Sequence, residues 1–415
     1  MPRYYIWTIG CQMNKAESER LSSYLEQKGY EATDNSAEAD LIVLNSCVVR
    51  QSAEDRVTNK LHLLKLLKKE RPEITLAVTG CLVNSETSRL EKKFPYVDHF
   101  FKPGDYPDWL EKKDAAPPIP QNPSASTFVP INQGCDNFCS YCIVPYRRGR
   151  ERSRPMPEIV NEVATLVERG VKEVILLGQN VDSYGHDLPG KPDLADLLTE
   201  LNAINELARI RFLTNHPKDM NLKLIEAIAS LDKVCEEISL PFQAGDDEIL
   251  KAMRRGYTIE QYRQLVAQIR SKIPGVALST DVIVGFPSES DEQFQQTLNL
   301  LSELRFDTVH VAAYSPRPGT IATREFEDNI PLPEKKERLN KIERLQERFA
   351  TEINAQLQDN TVEILVEGKA KGKWWGRTRT GKLVFFNSDH DCLGQLVIIM
   401  VNKTSPWSLQ GKLET

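Results

Sequence analysis

The chain has 415 residues, of which 40% are hydrophobic, and a formal net charge of −6. This length predicts about two or three domains, and the acidic balance excludes a chain-wide nucleic-acid surface, so any such surface must be a local patch. No apolar run reaches the roughly 18 residues of a membrane helix, and the N-terminus lacks a signal-peptide pattern. We therefore expect a cytoplasmic protein without membrane contact, in which the eight cysteines act as metal ligands or catalytic groups rather than as disulfides.

The first third of the chain alternates apolar runs with helical patterns. The apolar runs predict buried strands at residues 4–10, 41–46 and 74–80. Because helical patterns separate these strands, they predict a small doubly wound parallel-sheet α/β domain over residues 1–115.

Each of these three strands is followed directly by a cysteine, namely Cys11, Cys47 or Cys81. The carboxyl ends of parallel strands meet at one edge of a sheet, where ligands bind. The three thiols are therefore expected together, as a cluster site with one open metal position. Three buried core cysteines are the alternative interpretation.

A proline-rich polar stretch at 111–125 predicts a linker. Six further strand-like runs follow it and alternate with helical patterns, at residues 127–132, 173–178, 208–213, 236–241, 277–284 and 308–314. Six β/α units in series predict a partial (β/α)6 barrel over residues 121–350, with its chemistry at the carboxyl ends of the strands. A long charged amphipathic helix at 333–357 follows as a connector.

Directly after the first of these strands, Cys135, Cys139 and Cys142 form a C-x3-C-x2-C motif at the expected mouth of the barrel. Iron–sulfur clusters are held by thiolates, and four irons normally take four of them. Three thiolates leave one iron open to a small molecule. A zinc ion held by three cysteines and a water is the alternative, although no histidine or fourth cysteine lies nearby in the sequence.

This motif resembles the signature of the radical S-adenosylmethionine (SAM) superfamily, in which the open iron chelates SAM. Other segments resemble the methylthiotransferase family of that superfamily, in order along essentially the whole chain: GCQMN (10–14), NSC (45–47), TGC (79–81), GQNVDSY (178–184), TNHP (214–217), LPFQAGDDEILKAMRRGYT (240–258), STDVIVGFP (279–287) and YSPRPGT (314–320).

The resemblance implies two [4Fe–4S] clusters and SAM as cofactors. A radical SAM cluster on Cys135, Cys139 and Cys142 would generate a 5′-deoxyadenosyl radical. An auxiliary cluster would carry the sulfur that is inserted, held by Cys11, Cys47 and Cys81. All six cysteines are then catalytic.

Polar residues at the strand ends are the candidates for binding SAM. We expect Asn180, Gln243 and Asp281 to contact its amine and hydroxyl groups, since amides and carboxylates pair with both. Ordinary strand-end hydrogen bonding is the alternative for each. His216, Cys235 and Cys392 are expected to be structural.

The last segment predicts a small antiparallel β-barrel over 353–415, which by resemblance is a TRAM RNA-binding domain. Its stretch 369–382 carries six basic residues, no acidic ones and two tryptophans. Basic charge attracts phosphates and aromatic rings stack on unpaired bases. The predicted RNA-binding residues are Lys373, Trp374, Trp375, Arg377 and Arg379.

Five arginines follow the C-x3-C-x2-C motif, at positions 147, 148, 150, 152 and 154. Contact with substrate phosphates is one interpretation, and a solvated, salt-bridged loop is the other.

The segments GCQMN, NSCVVRQSAEDRV and CIVPYRRGRERSRP resemble the branch of the family that adds a methylthio group to C2 of N6-(dimethylallyl)adenosine at position 37 of tRNA, next to the anticodon. Asn215 in TNHP, and Phe242, Ala244 and Asp246 in PFQAGDD, depart from the family pattern, which bears on the substrate. The alternatives are N6-threonylcarbamoyladenosine in tRNA, a ribosomal-protein aspartate, or a non-catalytic Fe–S RNA-binding protein.

The resemblance also implies partners. These are the tRNA anticodon stem-loop, an electron donor such as flavodoxin or ferredoxin, and a sulfur donor or Fe–S carrier. The chain is expected to act as a monomer.

Overall fold

A computed structural model describes residues 1–49, 51–83, 87–110 and 119–414, so most of the predicted linker lies outside the described residues. The chain divides into two compact units. The first comprises residues 1–122, 133–136 and 142–152, and the second comprises residues 123–132, 137–141 and 153–415. Across the described ranges, no helix combines the length and apolar character that crossing a bilayer requires.

The first unit is built around a parallel sheet. Its elements are β1 (Arg3–Thr8), α1 (Gln12–Gln27), β2 (Glu31–Ala32), β3 (Leu41–Ser46), α2 (Gln51–Glu70), β4 (Thr75–Gly80), α3 (Ser88–Lys93) and β5 (His99–Phe100). The strands pair in the order β2-β1-β3-β4-β5, all parallel.

Apolar side chains of β3 alternate between the two faces of this sheet. Leu41 and Val43 pack with residues of α1 in one cluster, while Ile42 and Leu44 pack with residues of α2 in another. Because successive strand residues point to opposite faces, a strand that is buried on both sides needs helices on both sides. The predicted doubly wound sheet is thus confirmed.

The central segment supplies β6 to β13 and α4 to α12. Their bounds are β6 (Ser126–Pro130), β7 (Asn132–Gln133), α4 (Val144–Arg148), β8 (Arg152–Ser153), α5 (Met156–Glu168), β9 (Glu173–Leu177), α6 (Leu194–Asn202), β10 (Arg209–Phe212), α7 (Leu222–Ser230), β11 (Glu237–Ser239), α8 (Asp247–Ala252), α9 (Ile259–Lys272), β12 (Ala277–Val284), α10 (Asp291–Leu304), β13 (Thr308–Ala313), α11 (Ile321–Glu325) and α12 (Leu332–Ala355). Of these, α4 falls within the first unit.

Six strands of this segment, β6 and β9 to β13, form two parallel sheets in which neighbouring strands follow one another in chain order. Parallel pairing joins β6, β9 and β10 in one three-stranded sheet and β11, β12 and β13 in another. A parallel bridge between Ile210 and Val234 connects the two sheets. This is the partial (β/α)6 barrel that the six apolar runs predicted.

The C-terminal strands close into a small barrel within the second unit. They are β14 (Thr361–Ala370), β15 (Lys373–Thr378), β16 (Leu383–Asn387), β17 (Leu396–Thr404) and β18 (Leu409–Leu413), in the order β14-β15-β16-β18-β17. The pairing is antiparallel as predicted, except that β16 and β18 pair in parallel.

This C-terminal barrel packs on the amino-terminal ends of the core strands. Arg209, at the start of β10, donates to the Arg377 carbonyl at 2.7 Å. Lys382 pairs with Asp307, directly before β13, at 2.6 Å. The C-terminal barrel therefore lies at the opposite end of the core strands from the carboxyl ends where chemistry is expected.

Candidate active site

Two glycines shape the strand ends that carry the N-terminal thiols. Gly10 precedes Cys11 with a φ of +144°, and Gly80 precedes Cys81 with a φ of +90°. A Cβ on Gly80 would lie 2.3 Å from the Ser46 carbonyl oxygen, and one on Gly10 would lie 2.9 Å from the Cys47 Cβ. Only glycine permits this close approach of the strand ends.

A buried amide network holds the same edge together. Asn14 Nδ2 donates to Asn45 Oδ1 at 2.9 Å, and Asn45 Nδ2 donates to the Asn14 carbonyl at 2.8 Å. The backbone N–H of Cys81 donates to the Ser46 carbonyl at 2.8 Å. These contacts tie the GCQMN, NSC and TGC segments to one another.

Of the three thiols at this edge, Cys47 and Cys81 are buried and Cys11 is exposed. The interpretation as three core cysteines therefore fails for Cys11. Burial raises the pKa of the Cys81 thiol to about 11, and the neighbouring Arg148 guanidinium opposes that rise.

Arg148, at the end of α4, lies beside these thiols within the first unit. Its Nε donates to Cys81 Sγ at 3.2 Å, and its two terminal nitrogens donate to the Glu17 carboxylate. The Arg148 side chain is only 3% exposed. The predicted contact with substrate phosphates is wrong for this arginine, because burial and the ion pair keep it from any RNA.

Two of the other arginines that follow the motif also form ion pairs. Arg150 pairs with Asp136 at 2.9 Å, and Arg154 pairs with Glu162 at 2.5 Å. The alternative interpretation, a salt-bridged loop, thus describes Arg150 and Arg154. Contact of Arg147 and Arg152 with phosphates stays a prediction.

In the second unit, buried polar atoms collect at the carboxyl ends of four core strands. Five of them have no hydrogen-bond partner among the described residues: Asn132 Oδ1, Asn180 Oδ1, Asn215 Oδ1, His216 Nε2 and Gln243 Oε1. Buried polar groups are almost always paired. A polar ligand with both donors and acceptors, such as SAM, would satisfy this set.

Backbone strain marks the same strand ends. Thr214 and Gln243 adopt left-handed φ angles of +74° and +71°, which a β-branched residue such as threonine rarely adopts. Hydrogen bonds to β12 hold Gln243 there, because its N–H donates to the Asp281 carbonyl at 3.0 Å and its carbonyl accepts from Ile283 at 2.9 Å. Strain held by the surrounding structure is typical of functional sites.

Asp182 and His216 lie within this region, and burial disfavours the charged form of both side chains. Asp182 accepts from Asn215 Nδ2 and from the His216 N–H, and burial raises its pKa to about 7. Burial and the positive charges of Arg255 and Lys218 lower the pKa of His216 to about 2. Its Nδ1 accepts from the Lys218 N–H at 3.2 Å, which places the ring proton on the unpartnered Nε2.

The predicted SAM-binding residues thus differ in their surroundings. The structure places Asn180 and Gln243 among the unpartnered buried groups. Asp281 lies within β12 with a partly buried side chain. Their contact with SAM stays a prediction. His216 was expected to be structural, yet its buried Nε2 donor belongs to the same set.

Cys139, which falls in the second unit, contacts a buried arginine. Arg255 Nη1 donates to Cys139 Sγ at 3.3 Å, and its other nitrogens donate to the Tyr257 hydroxyl at 3.1 Å and to the Pro241 carbonyl at 2.8 Å. Cys135 and Cys142 fall in the first unit, where the Cys135 N–H donates to the Gly149 carbonyl at 3.2 Å.

Sequence reasoning missed Arg255 and Asp182, although both stood inside family-like segments. For Asp182 the available signal was a carboxylate in the loop directly after β9, whereas Arg255 follows α8 beside Arg254 and had no distinguishing signal in the sequence. The signal for Asp182 does not say which side chain the charge will meet.

The donor chemistry fits iron–sulfur clusters. Within the described ranges, no three His, Cys, Asp or Glu side chains converge as ligands of one metal ion. A cluster differs from a single ion because each thiolate binds a separate iron. Thiols with an arginine N–H directed at the sulfur suit that arrangement, since such bonds stabilise a thiolate.

The predicted RNA-binding residues differ in burial and in their ion pairs. Trp374 is 7% exposed and packs in the core of the C-terminal barrel, so it cannot stack on a base. The Arg379 guanidinium pairs with Glu236 of the core at 2.7 Å, and its contact with RNA stays a prediction. The assignment of Trp374 to RNA is corrected because of its burial. Contact of Lys373, Trp375 and Arg377 with RNA stays a prediction.

Six parallel β/α units, a C-x3-C-x2-C motif after the first strand and unpartnered polar groups at the strand ends define a radical SAM enzyme. Family models agree with this class. The radical SAM superfamily model matches residues 129–301, the model of the uncharacterized protein family UPF0004 matches residues 3–102, and the TRAM domain model matches residues 357–413.

Curated relatives match along the full length. A tRNA-2-methylthio-N(6)-dimethylallyladenosine synthase of Dehalococcoides mccartyi is 56% identical, covering 100% of this chain and 99% of its own. Synthases of the same name from Roseiflexus sp. and Carboxydothermus hydrogenoformans are 49% and 43% identical, each covering 99% of this chain, and 89% and 99% of their own. The chain belongs to this family of radical SAM methylthiotransferases.

Solved structures share the fold at low identity. The radical SAM methyltransferase TsrM from Kitasatospora setae superposes with a TM-score of 0.56 at 14% identity, covering 78% of this chain and 77% of its own. The cobalamin-dependent SAM radical enzyme OxsB gives a TM-score of 0.52 at 13% identity, covering 83% of this chain and 56% of its own. Membership of the superfamily implies a [4Fe–4S] cluster and SAM as cofactors.

Proposed function

We propose that this enzyme adds a methylthio group to C2 of N6-(dimethylallyl)adenosine at position 37 of tRNA. The observation that carries the proposal is the presence of two complete three-cysteine sets, each at the carboxyl ends of parallel strands. The name shared by the full-length relatives supports this adenosine as the substrate.

The two sets serve different parts of the reaction. Cys135, Cys139 and Cys142 hold the cluster that supplies an electron for radical chemistry on SAM. Cys11, Cys47 and Cys81 hold a second [4Fe–4S] cluster, at which the sulfur for insertion is delivered.

The chain's own polar groups orient the cofactor. Asn180, Gln243 and Asp281, joined by the neutral His216, bind the amine, carboxylate and hydroxyl groups of SAM. The burial of Asn180, Gln243 and His216 excludes water, which strengthens these contacts and protects a radical from side reactions.

The proposal includes the partners and setting. The anticodon stem-loop is bound by the TRAM domain, one-electron reduction comes from a flavodoxin or ferredoxin, and a separate carrier supplies sulfur. The enzyme acts as a monomer in the cytoplasm, where thiols stay reduced.

Nucleoside mass spectrometry tests the substrate. The enzyme is reconstituted without oxygen and given a reductant, SAM and tRNA that carries dimethylallyladenosine, with a threonylcarbamoyladenosine tRNA in parallel. A methylthio product on the first tRNA alone is expected. Product on the second alone would correct the substrate. 5′-Deoxyadenosine without either product would redirect the search to the ribosomal-protein aspartate, and no 5′-deoxyadenosine at all would favour a non-catalytic RNA-binding protein.

The TRAM surface gives a prediction on affinity. Lys373→Ala or Arg377→Ala should weaken tRNA binding and reduce the salt dependence of log Kd by about 0.7–0.9 for each phosphate contact that is lost. Arg379→Ala is the matched comparison. Both arginines form an ion pair with a glutamate, but the Arg379 side chain is 28% exposed and is held by Glu236 of the core, whereas the Arg377 side chain is 45% exposed, so Arg379→Ala should change the salt dependence less. Equal effects of all three variants would contradict this division.

A further inference from the structure

In each unit, a buried arginine donates a hydrogen bond to a thiol of a cysteine set. In the first unit, Arg148 Nε lies 3.2 Å from Cys81 Sγ. In the second, Arg255 Nη1 lies 3.3 Å from Cys139 Sγ. Arginines are rarely buried unless partners compensate their desolvation, and for both of these arginines the partners include a cysteine sulfur.

The two arginines differ in what neutralises their charge. Arg148 donates two hydrogen bonds to the Glu17 carboxylate, whose side chain is 11% exposed. That pair presents little net charge to Cys81.

Arg255 has only neutral oxygen partners besides the thiol. Its remaining hydrogen bonds go to the Tyr257 hydroxyl and the Pro241 carbonyl, and no carboxylate of the described ranges forms an ion pair with it. A full positive charge therefore remains next to Cys139.

We propose that these side chains are positioning residues that set the reduction potentials of the two clusters: Arg255 raises the potential of the cluster on Cys139, and Glu17 holds down the potential of the cluster on Cys81 by offsetting Arg148. The inference rests on the proposed two-cluster function. Net charge and hydrogen bonds to sulfur are the main means by which a protein tunes such potentials.

Reduction adds one negative charge to a cluster, and a nearby uncompensated positive charge stabilises that form, most strongly where water is excluded. Both arginines donate one hydrogen bond to sulfur, so that contribution is shared. The two sites differ in Glu17, whose negative charge offsets that of Arg148. This difference in charge favours transfer of the single electron from the reductant to the cluster on Cys139, where SAM is cleaved.

Single-cluster proteins test the inference with full-length chains. One background replaces Cys135, Cys139 and Cys142 with alanine, and the other replaces Cys11, Cys47 and Cys81. Each is reconstituted without oxygen, its iron and sulfide are counted, and its midpoint potential is measured by dithionite titration followed by electron paramagnetic resonance.

In the background that keeps Cys81, Glu17→Gln should shift the midpoint potential to more positive values, because Arg148 is left uncompensated. Adding Arg148→Gln should reverse the shift. Glu26→Gln is the matched control. Glu26 lies near the far end of α1 and contacts Tyr4, on the order of 14 Å from Glu17 by helical rise, so its replacement should leave the potential unchanged.

In the background that keeps Cys139, Arg255→Gln should shift the midpoint potential to more negative values, and Arg255→Lys should restore most of it by keeping the charge. A merely structural role would affect cluster content but not the sign of these shifts. Glu17→Gln without a positive shift, or Arg255→Lys that matches Arg255→Gln, would overturn the inference while both clusters remain. A background without Cys135, Cys139 and Cys142 that binds no cluster would overturn the proposed two-cluster function itself.

Discussion

Cys135→Ala is expected to abolish formation of 5′-deoxyadenosine, whereas Cys47→Ala leaves that formation intact and abolishes the methylthio product. The reason is that one cysteine set is proposed to hold the cluster for radical chemistry on SAM and the other the cluster for sulfur delivery. Cys135 belongs to the C-x3-C-x2-C motif after the first core strand, and Cys47 follows β3 of the first unit. Loss of one ligand from a three-thiolate site leaves two, which is too few to retain a cluster with one open iron.

Both products are measured in the same anaerobic reaction, 5′-deoxyadenosine by chromatography and the modified nucleoside by mass spectrometry. Cys392→Ala is the control, because this thiol is buried in the core of the C-terminal barrel and should leave both products at the wild-type level. Methylthio product from Cys47→Ala would show that the roles are wrongly assigned. Loss of 5′-deoxyadenosine in Cys47→Ala would show that the two sites are not independent.

The alternation of apolar strands and helices was sufficient to predict the parallel sheet of the first unit and the partial barrel of the core. It also placed Cys11, Cys47 and Cys81 at one edge of the sheet, because the carboxyl ends of parallel strands share an edge. The order that makes their three strands neighbours is known from the structure. The roles of Arg148 and Arg255 were not predictable in this way. Each depends on which distant side chain a long flexible residue meets, and spacing along the chain carries no such information.

The tryptophan pair shows a signal that was present and not used. Trp374 and Trp375 are consecutive in β15, and successive strand residues point to opposite faces. One of the two therefore had to enter the barrel core, and Trp374 does so. The sequence did not show which basic residues of the same stretch form ion pairs within the protein. Arg379 pairs with Glu236, which directly precedes β11 of the core, and spacing along the chain does not reveal this contact.

Arg211→Ala is expected to lower the free energy of unfolding by about 3–5 kcal/mol, the range for breaking a buried ion pair. Arg211 Nε donates to Glu173 at 2.8 Å, and the two side chains are 5% and 2% exposed. Other Arg211 nitrogens donate to the carbonyls of Thr378 and Arg379 in the C-terminal barrel. The substitution would leave the Glu173 charge buried, with the Ser126 hydroxyl as its remaining side-chain donor among the described residues, and would remove the donors of that docking contact.

Urea denaturation measures the loss, and limited proteolysis reports whether the C-terminal barrel becomes detached. Arg263→Ala removes the exposed pair with Glu303 and should cost less than about 1 kcal/mol. Adding Glu173→Gln to Arg211→Ala should recover part of the loss, because the buried charge is then gone. If Arg211→Ala matched Arg263→Ala, water would have to reach Glu173 in solution. The docking of the RNA-binding barrel would then rest on the pairs of Arg209, Arg379 and Lys382 instead.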